Sequence, residues 1–499
     1  MITKENEIMT HFWKRLGFYI SLIAIICVGF FSFSLYRLGI LPVKFMVPII
    51  IVFLLLWLII AILLVRPDGG WGSRIVGGIL ALGLVVSTAF GSYYLQVTYG
   101  ALNLMTQGND KTTKVTSVYV LNNGVITDAQ GLQGRKIGKL NNINTTGTQG
   151  CLDALAADGI SIETQDYDSS IQMVNDLKGQ AIDGIILDQS YLSTIEDMEG
   201  QENIREEIKP VFDYKYTVEK VESVSSVDTA TQPFNVLISG IDTYGQIEET
   251  SRSDVNMIAS VNPKTKEILL ISIPRDFYVE TACEPSMGCA LGQMDKLTHT
   301  GLHGVATTEM TLEKLFGIDI NYYVRVNFSS LENIINELGG IDVENVDSFT
   351  SLHGNYTFEP GIIHMDGPMA LGFVRERYSF TEGDRERGRN QMRVLNAIID
   401  KAMSPAILSN FSGIMNAVGN SFETNMSVKD MTALVNAQLA SSGGWKIYNY
   451  SVNGTGGTDF AAELGDNAYV MYPDQATINN AKADIDAVVN GEVPPYVNE

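Results

Sequence analysis

At 499 residues the chain is too long for a single domain, and its formal net charge of −23 makes it strongly acidic. Hydrophobic residues make up 45% of it but are concentrated at the N-terminal end, so it does not read as one evenly mixed soluble globule. Its four cysteines lack a second Cys or His pair at ligand spacing, which argues against a zinc site.

Residues 1–16 are expected to be a short cytosolic tail. Three apolar runs follow, at residues 17–36, 45–65 and 75–95. Each is about 20 residues, the length at which a helix crosses a bilayer. Three in succession argue against buried core helices. The first is followed by no small-residue cleavage site, which argues against a signal peptide. Residues 17–96 therefore read as three transmembrane helices. Lys4, Lys14 and Arg15 precede the first run, and Arg66 and Arg74 lie between the second and third. Against Arg37 and Lys44 in the first loop, this mild bias keeps the N-terminus inside and places everything after residue 96 outside.

Residues 113–217 read as a small accessory α/β unit. Strand patterns (TSVYVL, a short one in GLQGRKIGKL, ISIETQDY, AIDGIILDQS) alternate with helix patterns (CLDALAADG, SIQMVNDLKGQ). Such alternation predicts a mainly parallel sheet. The texture of this stretch is similar to part of a periplasmic solute-binding domain. It holds no catalytic cluster, and a structural or partner-docking role is its plainest reading. Residues 218–233 are polar and serine-rich, as in a linker.

From Phe234 the pattern changes. FNVLISGID is a strand ending at Asp242, and VNMIASV and EILLISI are strands joined by a turn at Asn262-Pro263-Lys264-Thr265. Helices are predicted for GVATTEMTLEKLFG, for FSSLENIINELGG with Ser329 or Ser330 as cap, and for DGPMALGFVR with Pro368 in its first turn. A longer helix runs from Glu386 to about Met403, with Met392, Leu395, Ile399 and Ala402 as its core face and Arg387 and Gln391 sharing another. Further helices are expected at 405–417, at 428–440 with Ser427 as cap, and near 474–489. The strand pattern WKIYNYSVNG lies between the last two.

No GxxxxGK[ST], HExxH or GxSxG motif is present. His299 and His303 in KLTHTGLHG suit an ordinary loop or cap role. Cys283 and Cys289 bracket the short loop CEPSMGC; outside the cell they form either a local disulfide or two free thiols. Six arginines crowd into residues 375–393 of this acidic chain: Arg375, Arg377, Arg385, Arg387, Arg389 and Arg393. Interleaved acids leave two readings open, a solvated charged helix face or an anion site. A second stretch weighs toward the anion site. Between Asn235 and Asp276, Asp242, Arg252, Asp254 and Arg275 all stand at the edges of apolar segments. Two acids suited to Mg²⁺, with arginines to neutralise phosphate oxygens, make a credible metal-assisted phosphoryl-transfer site. Arg375 and Arg377, two apart, point the same way if that stretch is extended.

The elements GIDTYG, TSRSDVNMIASVNPKTKEILLISIPRD, DKLTHTGLHG and FVRERYSFTEGDRERGRNQ carry a resemblance to the LytR–CpsA–Psr family of cell-envelope proteins. The three-span N-terminus and the extra α/β unit resemble the capsule-associated branch. The resemblance implies a mixed-sheet α/β catalytic domain flanked by helices at 234–405, completed by a helical extension at 406–499. It implies a phosphotransferase that moves a glycopolymer phosphate (capsular or teichoic-acid-like) from a polyprenyl pyrophosphate carrier onto peptidoglycan, with pyrophosphate hydrolysis as a side activity. Asp242 and Asp254 correspond to acids near Mg²⁺. Arg252, Arg275, Arg375, Arg377, Arg387 and Gln391 correspond to pyrophosphate-binding residues, Lys296 to a pocket lysine, and Asp384 to an acid that orients the arginines or the acceptor. Asp242, Asp254, Arg275 and Arg377 are the expected catalytic group. Partners would be the lipid-linked polymer, peptidoglycan, the membrane and capsule-synthesis proteins. Nucleic acid is not among them, because the cytosolic tail is too short to read it. A competing reading is a non-catalytic polyprenyl-phosphate-binding regulator of polymer synthesis or chain length.

Overall fold

The computed structural model describes residues 2–66, 70–106, 111–221, 227–241, 243, 250–402, 411–440 and 444–497. Among them, three helices are long and apolar enough to cross a membrane: α1 (Ile2–Leu38), α2 (Val43–Val65) and α3 (Trp71–Thr106). Small residues let them pack closely, with Ala24, Ala81 and Leu84 buried between them, while Phe18, Ile26, Leu55 and Phe90 face outward. This inverted pattern suits a membrane anchor. Residues 2–15, ahead of the apolar span that begins at Leu16, are helical and form the first part of α1 without a break, because no glycine or proline interrupts them. At 36 residues α3 is about 54 Å long at 1.5 Å per residue, well beyond the ~30 Å apolar thickness of a bilayer. Its surplus turns form a stalk.

The accessory unit contains β1 (Lys111–Leu121), β2 (Lys136–Leu140), α4 (Thr145–Ala157), β3 (Glu163–Tyr167), α5 (Ser170–Lys178), β4 (Gly184–Asp188), α6 (Leu192–Glu196), α7 (Ile204–Glu207) and β5 (Ile208–Glu219). Its sheet, in the order β3-β2-β4-β1-β5, is mixed rather than mainly parallel. β2 runs parallel to β3 and β4, but β1 is antiparallel to both β4 and β5. The long β5 returns beside β1 after the helices end, which strand–helix alternation alone does not reveal.

The larger domain is built on the sheet β16-β11-β6-β7-β8-β17. Its strands and helices are β6 (Phe234–Ile241), β7 (Ser253–Asn262), β8 (Glu267–Ile273), β9 (Tyr278–Glu280), β10 (Met294–Lys296), α8 (Val305–Phe316), β11 (Tyr322–Val326), α9 (Phe328–Glu337), β12 (Ile341–Asn345), β13 (Phe349–Thr350), β14 (Thr357–Phe358), β15 (Gly361–Met365), α10 (Gly367–Arg375), α11 (Asp384–Ala402), α12 (Phe411–Ser421), β16 (Glu423–Thr424), α13 (Val428–Ala440), β17 (Lys446–Ser451), β18 (Gly454–Ala461), β19 (Asp466–Pro473) and α14 (Gln475–Asn490). One face, with Leu237, Ile258, Leu269 and Ile271, is covered by α8 and α14; the other, with Val236, Met257 and Leu270, packs on Met392 of α11. Asn327, not Ser329 or Ser330, caps α9: its side chain accepts the Ser330 N–H at 2.9 Å. The C-terminal part is not purely helical, because β17 completes the main sheet beside β8 and β18–β19 form a hairpin. Cys283 and Cys289 form a disulfide.

Two contact zones fix the pieces together. Gly419 of α12 lies against the Ala101 backbone of the stalk, and Asn436 of α13 donates to the Gly39 carbonyl at 3.0 Å. The tip of the β18–β19 hairpin plugs into the accessory unit. There Tyr191 Oη donates to Glu463 Oε2 at 2.6 Å, and Ser170 Oγ donates to the Leu464 carbonyl at 2.9 Å.

Candidate active site

Strand pairing gathers the charged residues. β7 is antiparallel to both β6 and β8, with Gly240 opposite Val255 and Asn256 opposite Ile273. The start of β7 therefore lies beside the ends of β6 and β8, which brings Arg252 and Asp254 next to Arg275. β11 runs parallel to β6 and ends at the same edge, where Asn327 starts α9. The C-terminus of α10 and the first turn of α11 close over this edge.

Arg275 Nη1 donates to Asp254 Oδ2 at 2.8 Å, and Thr298 Oγ1 donates to Asp254 Oδ1 at 2.8 Å. Arg252 Nη2 lies 3.8 Å from Asp254 Oδ2. Burial alone would push the Asp254 carboxyl up, but Arg275 and Arg252 outweigh it and hold the group well below the usual carboxylate range. A fourth charged member comes from the accessory unit. Asp197 Oδ2 accepts from Arg275 Nη2 at 3.1 Å and also from Arg252 Nη1. Two carboxylates thus alternate with two guanidinium groups.

Gly301 explains how Thr298 reaches this cluster. A Cβ on it would sit 2.5 Å from both the Ser251 carbonyl oxygen and the Ser253 nitrogen. The turn carrying Thr298 therefore presses onto the first residues of β7 at the one position without a side chain.

The six clustered arginines divide into two sets, an ion-paired ladder and a cavity-lining group. Arg385 and Arg389 pair with Glu382, and Arg389 and Arg393 pair with Glu386, forming a ladder of ion pairs. Arg375, Arg377 and Arg387 instead line a cavity of about 750 Å³ together with Arg252, Asp254, Arg275 and Gln391. Arg375 is the last residue of α10 rather than part of an extended run. Its guanidinium lies 4.3 Å from the Phe328 ring centre, and that of Arg377 lies 4.7 Å from the Tyr378 ring centre. Burial lowers the Arg387 pKa, which the neighbouring Asp384 only partly offsets.

Other expected site residues lie elsewhere. Lys296 is buried with Nζ 2.6 Å from Asp276 Oδ1 and is not among the cavity-lining residues. Burial raises the Asp276 pKa, but Lys296 and Arg275 together bring it below the ordinary value. Asp384 is absent from the lining of this cavity but is ion-paired to Arg387 and lines a smaller pocket together with Asp254, Arg275, Arg387 and Gln391. Asp242 lies outside the described residues. His299 is buried with Nδ1 2.7 Å from Asp295 Oδ1, and His303 Nε2 is 2.8 Å from Glu463 Oε1. Both are structural ties away from the arginines.

The cavity changes character along its length. Beyond the arginines its walls are Ile238, Val255 and Met257 of the sheet, Val326 and Leu331 at the β11–α9 corner, Leu371 and Val374 of α10, and Val394, Leu395 and Ile398 of α11. On α11 the lining residues 387, 391, 394, 395 and 398 follow helical spacing, so one helix face passes from cation to amide to hydrocarbon. This face is rotated from the expected core face, of which only Leu395 belongs to it. Ser193, Glu196, Asp197 and Arg205 of the accessory unit form a further wall. Strand alternation carries a signal for the sheet part, since Val255 and Met257 are two apart. No sequence signal singled out Asp197 or Thr298.

The donor chemistry fits Mg²⁺. Asp254 offers hard carboxylate oxygens beside arginines set for phosphate, and Mg²⁺ commonly takes one or two carboxylates plus phosphate oxygens and water. Among the described residues no cluster of three or more His, Cys, Asp or Glu side chains could hold a metal by itself. An ion here would therefore depend on substrate oxygens.

Residues 203–486 match the model of the LytR_cpsA_psr family. The chain is 36% identical over 228 residues to the polyisoprenyl-teichoic acid–peptidoglycan teichoic acid transferase TagU of Enterococcus faecalis (strain ATCC 700802 / V583), a match covering 45% of this chain and 71% of that protein. It is 33% identical over 228 residues to the TagT protein of that type from Bacillus subtilis (strain 168), covering 43% and 67%. Among solved structures, the crystal structure of B. subtilis TagV is 27% identical with a TM-score of 0.43, covering 53% of this chain and 99% of that one.

Proposed function

We propose that this chain, which belongs to the LytR_cpsA_psr family, is a membrane-anchored transferase that moves a glycopolymer from a polyprenyl pyrophosphate carrier to peptidoglycan. The observation that carries this reading is the two-part lining of the cavity, arginines and acids in one part and apolar side chains in the other, which suits a diphosphate attached to a hydrocarbon chain. The names of the related TagU and TagT proteins point to the same donor and acceptor classes. The polymer is capsular or teichoic-acid-like.

In the reaction, an acceptor hydroxyl of peptidoglycan attacks the phosphorus nearest the glycopolymer. A new P–O bond forms, the bridging P–O bond breaks, polyprenyl monophosphate leaves, and the hydroxyl proton passes to a base or to solvent. Negative charge grows on the bridging oxygen. Arg252 and Arg275 sit rigidly on strand ends to neutralise it, and Arg375, Arg377 and Arg387 hold the remaining phosphate oxygens. Asp254 fixes the Arg275 fork through a bond made before substrate arrives, so little reorganisation is needed. Bound Mg²⁺, held by Asp254 and Asp242, would supply further charge neutralisation on the diphosphate. Water in place of the acceptor gives hydrolysis as the side reaction.

The anchor supports an extracytoplasmic placement. The stalk delivers the folded part to the side of the loop at 39–42, away from the loop that carries Arg66 and Arg74. A lipid-linked donor in the outer leaflet and the tethered domain then share a small volume, which raises the effective concentration.

The test is transfer by the full chain in nanodiscs, with a polyprenyl pyrophosphate-linked sugar, peptidoglycan fragments and Mg²⁺, followed by mass spectrometry. Transfer that EDTA and Arg275→Ala both abolish is expected. Tight lipid binding without transfer or hydrolysis for several acceptors would overturn the enzymatic reading in favour of a carrier-binding regulator.

A further inference from the structure

Asp197 is contributed by the accessory unit, yet it completes the charged cluster of the other domain. It directly follows α6, where a helix end presents carbonyl oxygens rather than N–H donors to a carboxylate. Its own helix therefore gives it little stabilisation, and its partners are the guanidinium groups of Arg252 and Arg275. A single oxygen shared by two guanidinium groups is the arrangement in which arginines also hold a phosphate oxygen. The exposures differ sharply: the side chain is 32% exposed for Asp197, but 7% for Arg252 and 5% for Arg275. The arginines are fixed in the strand ends, while the carboxylate enters from the solvent side through the cavity wall.

We propose that Asp197 is a resident anion, supplied by the accessory unit to the Arg252–Arg275 pair, which a diphosphate ligand must displace on binding. This rests on the reading of the cavity as a diphosphate site. The accessory unit is fastened by the hairpin tip through Tyr191–Glu463 and Ser170–Leu464, so the α6 loop stays beside the arginines and Asp197 competes as an intramolecular ligand. A monoanionic carboxylate loses to a diphosphate with its larger charge and additional oxygens. A weaker anion that reaches only this arginine pair is excluded. The accessory unit thereby acts as a selectivity filter at the anion site, and it adds a second carboxylate to that of Asp254 beside the two buried guanidinium groups of the unliganded protein.

The experiment is calorimetric titration of the full chain in nanodiscs with inorganic pyrophosphate, comparing wild type, Asp197→Asn, Glu202→Gln and Arg275→Ala. Glu202 is the control. It is an exposed acid of the same unit and carries the same charge, but it lies outside the cavity lining and accepts the Gly200 N–H at 3.0 Å. Asp197→Asn should tighten binding by about tenfold or more, because the competent state no longer needs to be vacated. Glu202→Gln should change it by less than about twofold on the screening expected for an exposed charge, and Arg275→Ala should abolish it. Hydrogen exchange across residues 190–205 of the wild-type chain should rise when pyrophosphate is added. That measurement decides the matter if Asp197→Asn does not fold. Equal or weaker binding by folded Asp197→Asn, or an exchange rate that pyrophosphate leaves unchanged, overturns the proposal while Arg275→Ala still marks the anion site. Undiminished binding by Arg275→Ala removes the diphosphate reading and the proposal with it.

Discussion

Arg275 and Asp254 form an ion pair at 2.8 Å across two antiparallel strands, and both belong to the lining of a cavity whose far end is hydrocarbon. The pair forms the buried part of the proposed anion site. Arg275→Ala is expected to lower kcat/KM for transfer on the order of a hundredfold or more, as for loss of a preorganised charge-stabilising donor. Arg275→Lys should not restore it, because a lysine ammonium cannot reproduce the planar fork that engages Asp254 and Asp197 together. Steady-state kinetics on the two variants checks this; near-normal rates for the lysine variant would show that charge alone is sufficient.

Gly301 offers a test of positioning without touching a charge. Its substitution by alanine forces the backbone at Ser251 and Ser253 to move, and with it Arg252 and Asp254. A displacement of about 1 Å at a reacting centre costs about a hundredfold. Gly301→Ala should therefore lose at least about tenfold in kcat/KM while far-ultraviolet circular dichroism stays unchanged. Unaltered kinetics would mean that the turn carrying Thr298 yields instead of β7.

The apolar half of the cavity is separable from the charged half. Leu395→Trp should raise KM for long-chain polyprenyl donors by about tenfold, the equivalent of about 1.4 kcal/mol, and leave inorganic pyrophosphate affinity within about twofold. The comparison is a series of donors of increasing tail length. A uniform loss for all donors, pyrophosphate included, would place the lipid chain elsewhere.

Acid should loosen the contact between the hairpin and the accessory unit. Burial raises the Glu463 pKa, but His303 and the Tyr191 hydroxyl outweigh it and bring the group from 4.5 down to about 2. Because the folded value is depressed, its stabilisation is complete above about 4.5 and is lost as pH falls toward about 2. Thermal unfolding of full-length Glu463→Gln should show a clear deficit against wild type at pH 7 and a smaller one at pH 3. The buried Asp254 and Asp276 are depressed in the same direction, so some acid sensitivity persists in the variant. An equal deficit at both pH values would assign the effect to packing.

The sequence alone determined the three apolar spans, most strand and helix positions, and the identities of the charged residues. Those features are local: a run of about 20 apolar residues, a period of 2 or 3.6, or an arginine beside a strand end can each be read without knowing what lies opposite. Register, pairing direction and facing are non-local, and only the tertiary structure decided them. It turned the accessory sheet mixed by returning β5 beside β1, sorted the clustered arginines into a cavity set and a surface ladder, and placed Lys296 on Asp276 instead of in the cavity. It also brought Asp197 to Arg252 and Arg275 across a domain boundary, at sequence separations of 55 and 78. No pattern within a sequence window encodes such a contact, because it depends on how two separately folded surfaces meet.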